Sequence, residues 1–482
     1  MKTKKQIGLL AGAVALGMAF LVAPKAQAAG DAWEAVGNSA YLSDVSHGMS
    51  SLAFSPDNHD LYVSIVENAD SIQVMHFDGT NWENYGAAVT SGELDEARLA
   101  FSPVNDQLYL AYVDYTLGKI VVLRYDGSSW VDVGPHGATE ADGDSLTLAF
   151  NPGTGNPYLA YRDHGIDKLV VKMYNGSSWE NVGAYGITSD DIYYPTMAFN
   201  PSTNEPYVAF NDTDNGGKLR VIKFNGAWEN VGPQGISTGY VTYLDLAFDP
   251  TTYSPYVAFT EEDLHESSRV MKFDGSAWQD VGSPSSDDSQ GEEGQIAFCP
   301  STNQLYLAYT RADAANNIVV KKYNGSDWEL VGAKGFNSYQ AGGFDLGFSP
   351  ATNEPFLSFE DDNRDDPGPL KHFGVYKFNK AVSSRPTIPY KNKKSAKKNL
   401  TFTFKDLKIT TKKAWVKVWL NGKKQKVRSV KKSGNNNLKV ALRVKYGHWT
   451  PGNYNLRMQF KRKVGKHTHT DTWRSLNALT IN

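Results

Sequence analysis

Short apolar runs, each closed by polar turn residues, recur along residues 31–380. One kind is a near-continuous run such as Tyr109-Leu110-Ala111-Tyr112 or Tyr207-Val208-Ala209-Phe210; another is Val170-Val171-Lys172-Met173-Tyr174 and its relatives. Runs of this length and β-rich content predict strands. Asp78-Gly79, Asp126-Gly127, Asn175-Gly176, Asn225-Gly226, Asp274-Gly275 and Asn324-Gly325 follow them and supply the positive φ that tight hairpins need.

The runs repeat. Trp33, Trp82, Trp130, Trp179, Trp228, Trp278 and Trp328 recur every 48 to 50 residues, each followed by a Val-Gly-like pair, with Tyr85-Gly86 the looser copy. An aromatic-x-Pro marker ends at Pro56, Pro103, Pro152, Pro201, Pro250, Pro300 and Pro350. Each unit therefore holds four strands, which is one propeller blade, and a lone blade cannot bury both faces. The first unit opens with only a Trp strand, Trp33 to Gly37, and the last ends at Tyr376-Lys377-Phe378 without one. The N-terminal strand is expected to complete the seventh blade, because an open stack would leave unpaired edges.

The repeats resemble those of bacterial secreted seven-bladed β-propellers built from units like Tyr174-Asn175-Gly176-Ser177-Ser178-Trp179-Glu180-Asn181-Val182-Gly183. The resemblance covers about three quarters of the chain. In architecture it is similar to kelch and lectin propellers, but the kelch double glycine and the sialidase motif Ser-x-Asp-x-Gly-x-x-Trp are absent. It implies a fold and not an activity. The seven Trp are read as blade-to-blade packing, since a residue kept in every unit of a stack serves the stack.

Residues 399–482 read differently. Strand candidates are Asn399–Phe404, Trp415–Leu420, Leu438–Val444, Tyr454–Phe460 and Trp473–Ile481. Their alternation predicts a small immunoglobulin-like β-sandwich behind a basic linker at 381–398. The fold class is thus all-β: a seven-bladed propeller over 31–380, then a β-sandwich.

Charge sharpens the division. The formal net charge of the chain is −3. Residues 29–380 carry −31, and residues 381–482 carry +24. An asymmetry of this size marks interaction surfaces. Cys299 is alone, which excludes a disulfide scaffold. Residues 1–28 have a basic start (Lys2, Lys4, Lys5), an apolar stretch from Ile7 to Ala23 and Ala26-Gln27-Ala28, and are expected to be a secretory signal. No later stretch is apolar enough to span a bilayer. A secreted or surface-associated protein without a transmembrane segment is expected.

Candidate binding residues follow from the acids and the Lys-rich module. Asp114, Asp163, Asp212, Glu262 and Asp361 stand just past the third marker strand, with Asp313 displaced by one in the sixth unit, and predict an acidic face. That face could be solvated surface, dock a cationic partner, or take Ca²⁺, for which Asp361, Asp362 and Asp365 offer the best oxygen-rich stretch. No other cofactor is implied. In the basic module, Lys439, Arg443, Lys445, Arg457 and Lys461 share the polar parity, while Trp415 and Trp419 share parity with Lys417. These Trp either stack on sugar rings beside the cations or cover a sandwich edge. Outside a cell, an anionic cell-wall polymer or acidic polysaccharide is a more natural partner than nucleic acid.

There is no Gly-x-Ser-x-Gly elbow, His-Glu-x-x-His or phosphate loop, so no catalytic residue is assigned. Three functions are compatible with these features. The first is a non-catalytic binding protein recognising a glycan or surface protein. The second is a propeller enzyme acting on polysaccharide, and the third a matrix protein that self-associates through its opposite charges.

Overall fold

The computed structural model describes residues 32–37, 42–43, 51–262, 267–283, 292–311, 317–337, 340–362 and 371–379, together with the backbone of strands between 387 and 481. Residues 1–28, expected to be a secretory signal, and Asp313 lie outside the described residues.

Seven antiparallel sheets follow one another, six built on four strands in sequence order and the seventh on three such strands completed by the N-terminal Ala32–Ala35. Blade 3 is representative: Gly143–Phe150, Pro157–Asp163, Lys168–Tyr174 and Trp179–Asn181. The first strands of successive blades pack on one another around the whole ring, and that of blade 1 also meets that of blade 7. They line the centre, and the short Trp strands lie outermost. The chain is a seven-bladed β-propeller.

Closure is as the sequence predicts. Ala32–Ala35 pairs antiparallel with Lys371–Asn379, placing Trp33 opposite Phe378. The core is divided between neighbouring blades; Leu52, Val63 and Ile65 of blade 1, for example, meet Phe356, Phe373 and Val375 of blade 7.

The Trp and the Val-Gly pair turn out to be two halves of one device. Trp179 Nε1 donates to the carbonyl of Val133 in the preceding blade at 2.8 Å, and Trp228 Nε1 to that of Val182 at 2.7 Å. Trp33 closes the ring in the same way, on Val331 at 2.8 Å. The following glycine is required: Gly183 has φ +87°, and a Cβ there would stand 2.9 Å from the Trp228 ring. Trp130 is the exception. Tyr85 replaces the Val beneath it, and the buried Trp130 Nε1 has no hydrogen-bond partner.

The turn chemistry is equally local. Asp126 Oδ1 accepts the N–H groups of Ser128 and Ser129, both at 2.9 Å, so the acid organises the loop while Gly127 supplies φ +102°. Cys299 occupies a turn position where Asn151 accepts two backbone N–H groups in its own blade; it is buried, with Sγ 3.7 Å from Ser301 Oγ.

C-terminal to the ring, one sheet has five strands, in the order Thr387–Ile388, His467–Ile481, Gly452–Val464, Trp415–Leu420, Lys423–Gln425. A second has three: Lys397–Phe404, Leu438–Lys445, Val427–Lys432. Thr387–Ile388, inside the expected linker, pairs in parallel with Thr480–Ile481.

Candidate ligand site at the mouth of the central channel

The innermost strands carry the chemistry. In blades 2 to 7 each is interrupted by a register shift near its start, as between Asp144 and Thr147. The bulged residue takes left-handed backbone: Glu96 (φ 50°), Ser145 (54°), Tyr194 (53°), Tyr243 (50°), Glu293 (53°) and Gly343 (55°). A non-glycine residue there costs roughly 1 kcal/mol or more. Five such residues at the same level of one ring is a strained rosette. Bulges re-aim side chains, and are common beside functional sites.

Two rosette members, Glu96 and Glu293, tie blades together. Glu96 accepts the N–H groups of Ser145 (2.8 Å) and Leu146 (2.7 Å), and Glu293 that of Gly343 (3.1 Å). Burial nevertheless pushes the Glu96 carboxyl up from its ordinary value.

Tyr194 and Tyr243 depart from this role. Their rings lie 5.3 Å apart across the boundary of blades 4 and 5, and Tyr193 is 6.4 Å from Tyr194. Arg162 lies 5.0 Å over the Tyr193 ring. It is held by Asp191 (2.6 and 2.8 Å), Asp167 (3.0 Å) and Asp144 (3.6 Å). His164 bridges Asp142 at 3.4 Å and Asp144 at 3.2 Å. Tyr240 joins the group. Its hydroxyl is pushed up by burial and then by Glu262, and that of Tyr194 by burial, then by Tyr240, Glu262 and Asp144. These residues share one side of the mouth.

One turn deeper, the residue before each Leu-Ala-Phe-like run forms a polar belt: Ser51, Arg98, Thr147, Thr196, Asp245, Gln295 and Asp345. Its members reach the next blade. Asp245 accepts the Ile296 N–H and Asp345 the Leu52 N–H, both at 2.8 Å, while Arg98 Nε donates to the Leu146 carbonyl at 3.2 Å. Burial raises the Asp245 carboxyl to about 6, with Asp345 adding to the rise and Arg98 opposing it. Asp345 is raised by burial as well, again against Arg98.

Most of the acids expected on the open face are placed elsewhere. Asp114, Asp163 and Asp212 end their second strands, Asp361 is the last residue but one of its own, and all four are buried. Two of them pin the following hairpin: Asp114 accepts the Leu117 N–H at 2.8 Å, and Asp163 accepts Gly165 N–H at 2.9 Å as well as the Tyr185 hydroxyl at 3.0 Å. Asp212 pairs with Arg220 at 3.3 Å. In the fifth blade the equivalent residue is Glu261, bound to Arg269, rather than the exposed Glu262. In the sixth it is Arg311, not the displaced Asp313. Glu262 remains at the surface, beside Tyr240.

Asp365 and the side chain of Asp362 lie outside the described residues. Among the described residues no group of three or more His, Cys, Asp or Glu could hold a metal ion. The basic module's candidates separate by backbone register. Trp415 stands opposite Lys461, Lys417 opposite Gln459 and Trp419 opposite Arg457, all in the five-stranded sheet. Lys439, Arg443 and Lys445 belong to the three-stranded sheet.

The tyrosines and the belt were missed from sequence, although a signal exists. Only units 4 and 5 place Tyr at the bulge, and the belt position is polar in every unit.

No family model matches the chain, and no curated protein matches it. Among solved structures, the fucose-specific lectin from Aleuria aurantia is 13% identical, with 62% of this chain and 99% of that one covered and a TM-score of 0.40. A mutant of AofleA from Arthrobotrys oligospora is 12% identical, covering 63% and 92%, with a TM-score of 0.40. A GH43_1 enzyme from Xanthomonas citri is 10% identical, covering 72% and 90%, with a TM-score of 0.34. At these values the likenesses carry no argument about what the chain binds.

Among the described residues, no helix is long and apolar enough to cross a membrane.

Proposed function

We propose that this is an exported, non-catalytic carbohydrate-binding protein whose propeller takes a saccharide at the channel mouth. The observation that carries the reading is the convergence of Tyr193, Tyr194, Tyr240 and Tyr243 with Glu262, Asp144 and Asp191 on one side of the strained rosette. Aromatic faces stack on the apolar faces of sugar rings, and carboxylates accept their hydroxyls. The Lys-rich C-terminal module, read as a β-sandwich over 399–482, retains the protein on an anionic envelope polymer. Calorimetric titration of neutral and charged oligosaccharides into the full chain and into Tyr243→Ala tests the binding role. Saccharide binding that is lost in Tyr243→Ala supports it, and binding that the variant leaves untouched refutes the site.

A polysaccharide hydrolase is the second reading, favoured by the two belt carboxylates Asp245 and Asp345, both raised by burial. Their backbone hydrogen bonds between blades argue for a structural role instead. Release of reducing ends from polysaccharide, abolished in Asp345→Asn, would establish the enzyme.

A further inference from the structure

We propose that Asn225 is a covalent modification site: of the three Asn-Gly turns that repeat around the rim, it alone deamidates readily in the folded protein. Asn175-Gly176, Asn225-Gly226 and Asn324-Gly325 each join the third strand of a blade to the outer Trp strand. Asn215-Gly216 and Asn421-Gly422 stand elsewhere in the chain and are not repeats of this turn. The three rim Asn are exposed, and their glycines share nearly one backbone, with φ +103°, +108° and +104°. A glycine next in the chain puts no side chain between its own nitrogen and the Asn amide. By sequence the three are equivalent.

The structure separates them. In blades 3 and 6 the turn has four residues, with Tyr174 opposite Trp179 and Tyr323 opposite Trp328. There the amide is clamped. Asn175 Oδ1 accepts the N–H groups of Ser177 (2.8 Å) and Ser178 (2.9 Å), and Asn324 Oδ1 those of Ser326 (3.0 Å) and Asp327 (2.9 Å). The Ser177 and Ser326 hydroxyls add a third bond to each, at 2.9 and 3.0 Å.

In blade 4 the turn is one residue shorter, because Phe224 stands opposite Trp228. The Ala227 carbonyl closes it by accepting the Asn225 N–H at 3.2 Å. Among the described residues nothing donates to Asn225 Oδ1, and the side chain is held through Nδ2 alone, by Glu229 at 2.8 Å. Glu180 and Glu329 hold the other two Asn in the same way, at 2.6 and 3.0 Å, so that contact does not distinguish the sites. Asp126 and Asp274, in four-residue turns, accept the same pair of N–H groups, which hold both carboxyls below their ordinary value. An ionised carboxylate is a poor electrophile, so these Asp-Gly turns stay unmodified.

The Gly226 nitrogen attacks Asn225 Cγ. The new C–N bond closes a succinimide ring, the Cγ–Nδ2 bond breaks, and ammonia leaves with the proton that Gly226 gives up. Water then opens the ring, yielding Asp by addition at Cγ and isoaspartate by addition at the main-chain carbonyl. No co-reactant beyond water is needed. Asn225 can rotate into place freely, whereas Asn175 and Asn324 must first give up two backbone hydrogen bonds, which slows them about tenfold.

The experiment ages the full chain in mildly alkaline buffer, native and in concentrated urea. Digestion at acid pH and peptide mass spectrometry then follow each site, with Asp and isoaspartate forms separated by chromatography. Native Asn225 should convert about tenfold faster than Asn175 or Asn324, and in urea the three rates should agree within about twofold. A variant with two serines in place of Ala227 rebuilds the four-residue turn and, matched to wild type for thermal unfolding, should slow Asn225 to the rate of Asn175.

Equal native rates at the three sites, or faster conversion at Asn175 or Asn324, overturn the proposal. So does an Asn225 that converts in urea but stays intact in the folded ring. A preference for Asn225 that persists in urea, or that survives the two-serine turn, belongs to the sequence and refutes the structural cause.

Discussion

The interblade Trp hydrogen bond can be weighed inside one molecule, because one blade lacks it. Replacing Trp179 by Phe removes a donor to the Val133 carbonyl, whereas replacing Trp130 by Phe removes an N–H that is buried without a partner. Both rings are partly buried outer-strand residues packed against a tyrosine, Tyr174 at 5.6 Å and Tyr125 at 5.4 Å, so the loss of ring area is similar. Leaving the Val133 carbonyl unsatisfied costs about 1–3 kcal/mol, and removing an orphaned donor recovers a comparable amount. Trp179→Phe should therefore be less stable than Trp130→Phe by about 2–6 kcal/mol, with Trp130→Phe near wild type. Equilibrium unfolding in urea, followed by far-ultraviolet circular dichroism with a shared m-value, measures the difference. If the two variants agree within about 0.5 kcal/mol, the hydrogen bond is not what the repeat preserves, and ring packing alone explains the conserved spacing.

Other outcomes follow from the same structure. Gly183→Ala, whose Cβ would stand 2.9 Å from Trp228, should cost about 2–4 kcal/mol. Gly127→Ala, at φ +102° with nothing within 4 Å, should cost only its backbone strain of about 1 kcal/mol, and thermal unfolding ranks the two. The Asp245 carboxyl is raised from 3.8 to about 6, so the folded state binds the proton more tightly than the unfolded one. That contribution is complete below pH 4 and is lost as pH rises through 6. Asp245→Asn should then gain about 1–3 kcal/mol at pH 7.5 and nothing at pH 4, and unfolding curves at both pH values test the sign. Trp33→Ala removes the 2.8 Å bond to Val331 and the stack on Phe336 at 4.8 Å, and should cost about 3–5 kcal/mol. Light scattering should show self-association as the strand edge of Lys371–Asn379 frees.

The sequence by itself determined everything that one repeat can specify. Trp spacing, Asp-Gly and Asn-Gly turns and the split first unit predict blade number, strand order and closure, because each depends on contacts within a unit or between identical neighbours. The packing role of Trp was legible for the same reason. The site was not. Counting along the chain put Glu262 where the register puts Glu261, since the strand ends one residue earlier than its charge pattern suggests. It also read four acids as surface groups, although hairpin N–H and hydroxyl groups, and an arginine, hold three of them inside. Only the tertiary structure brings Arg98 into the field of Asp245 and Asp345 across the channel, and Asp144 into that of Tyr194. Those pairs lie on different blades, and ring geometry rather than local sequence sets what faces what across a shared axis. Repeats encode the ring; the deviations between them become a site only when closure brings them to one mouth.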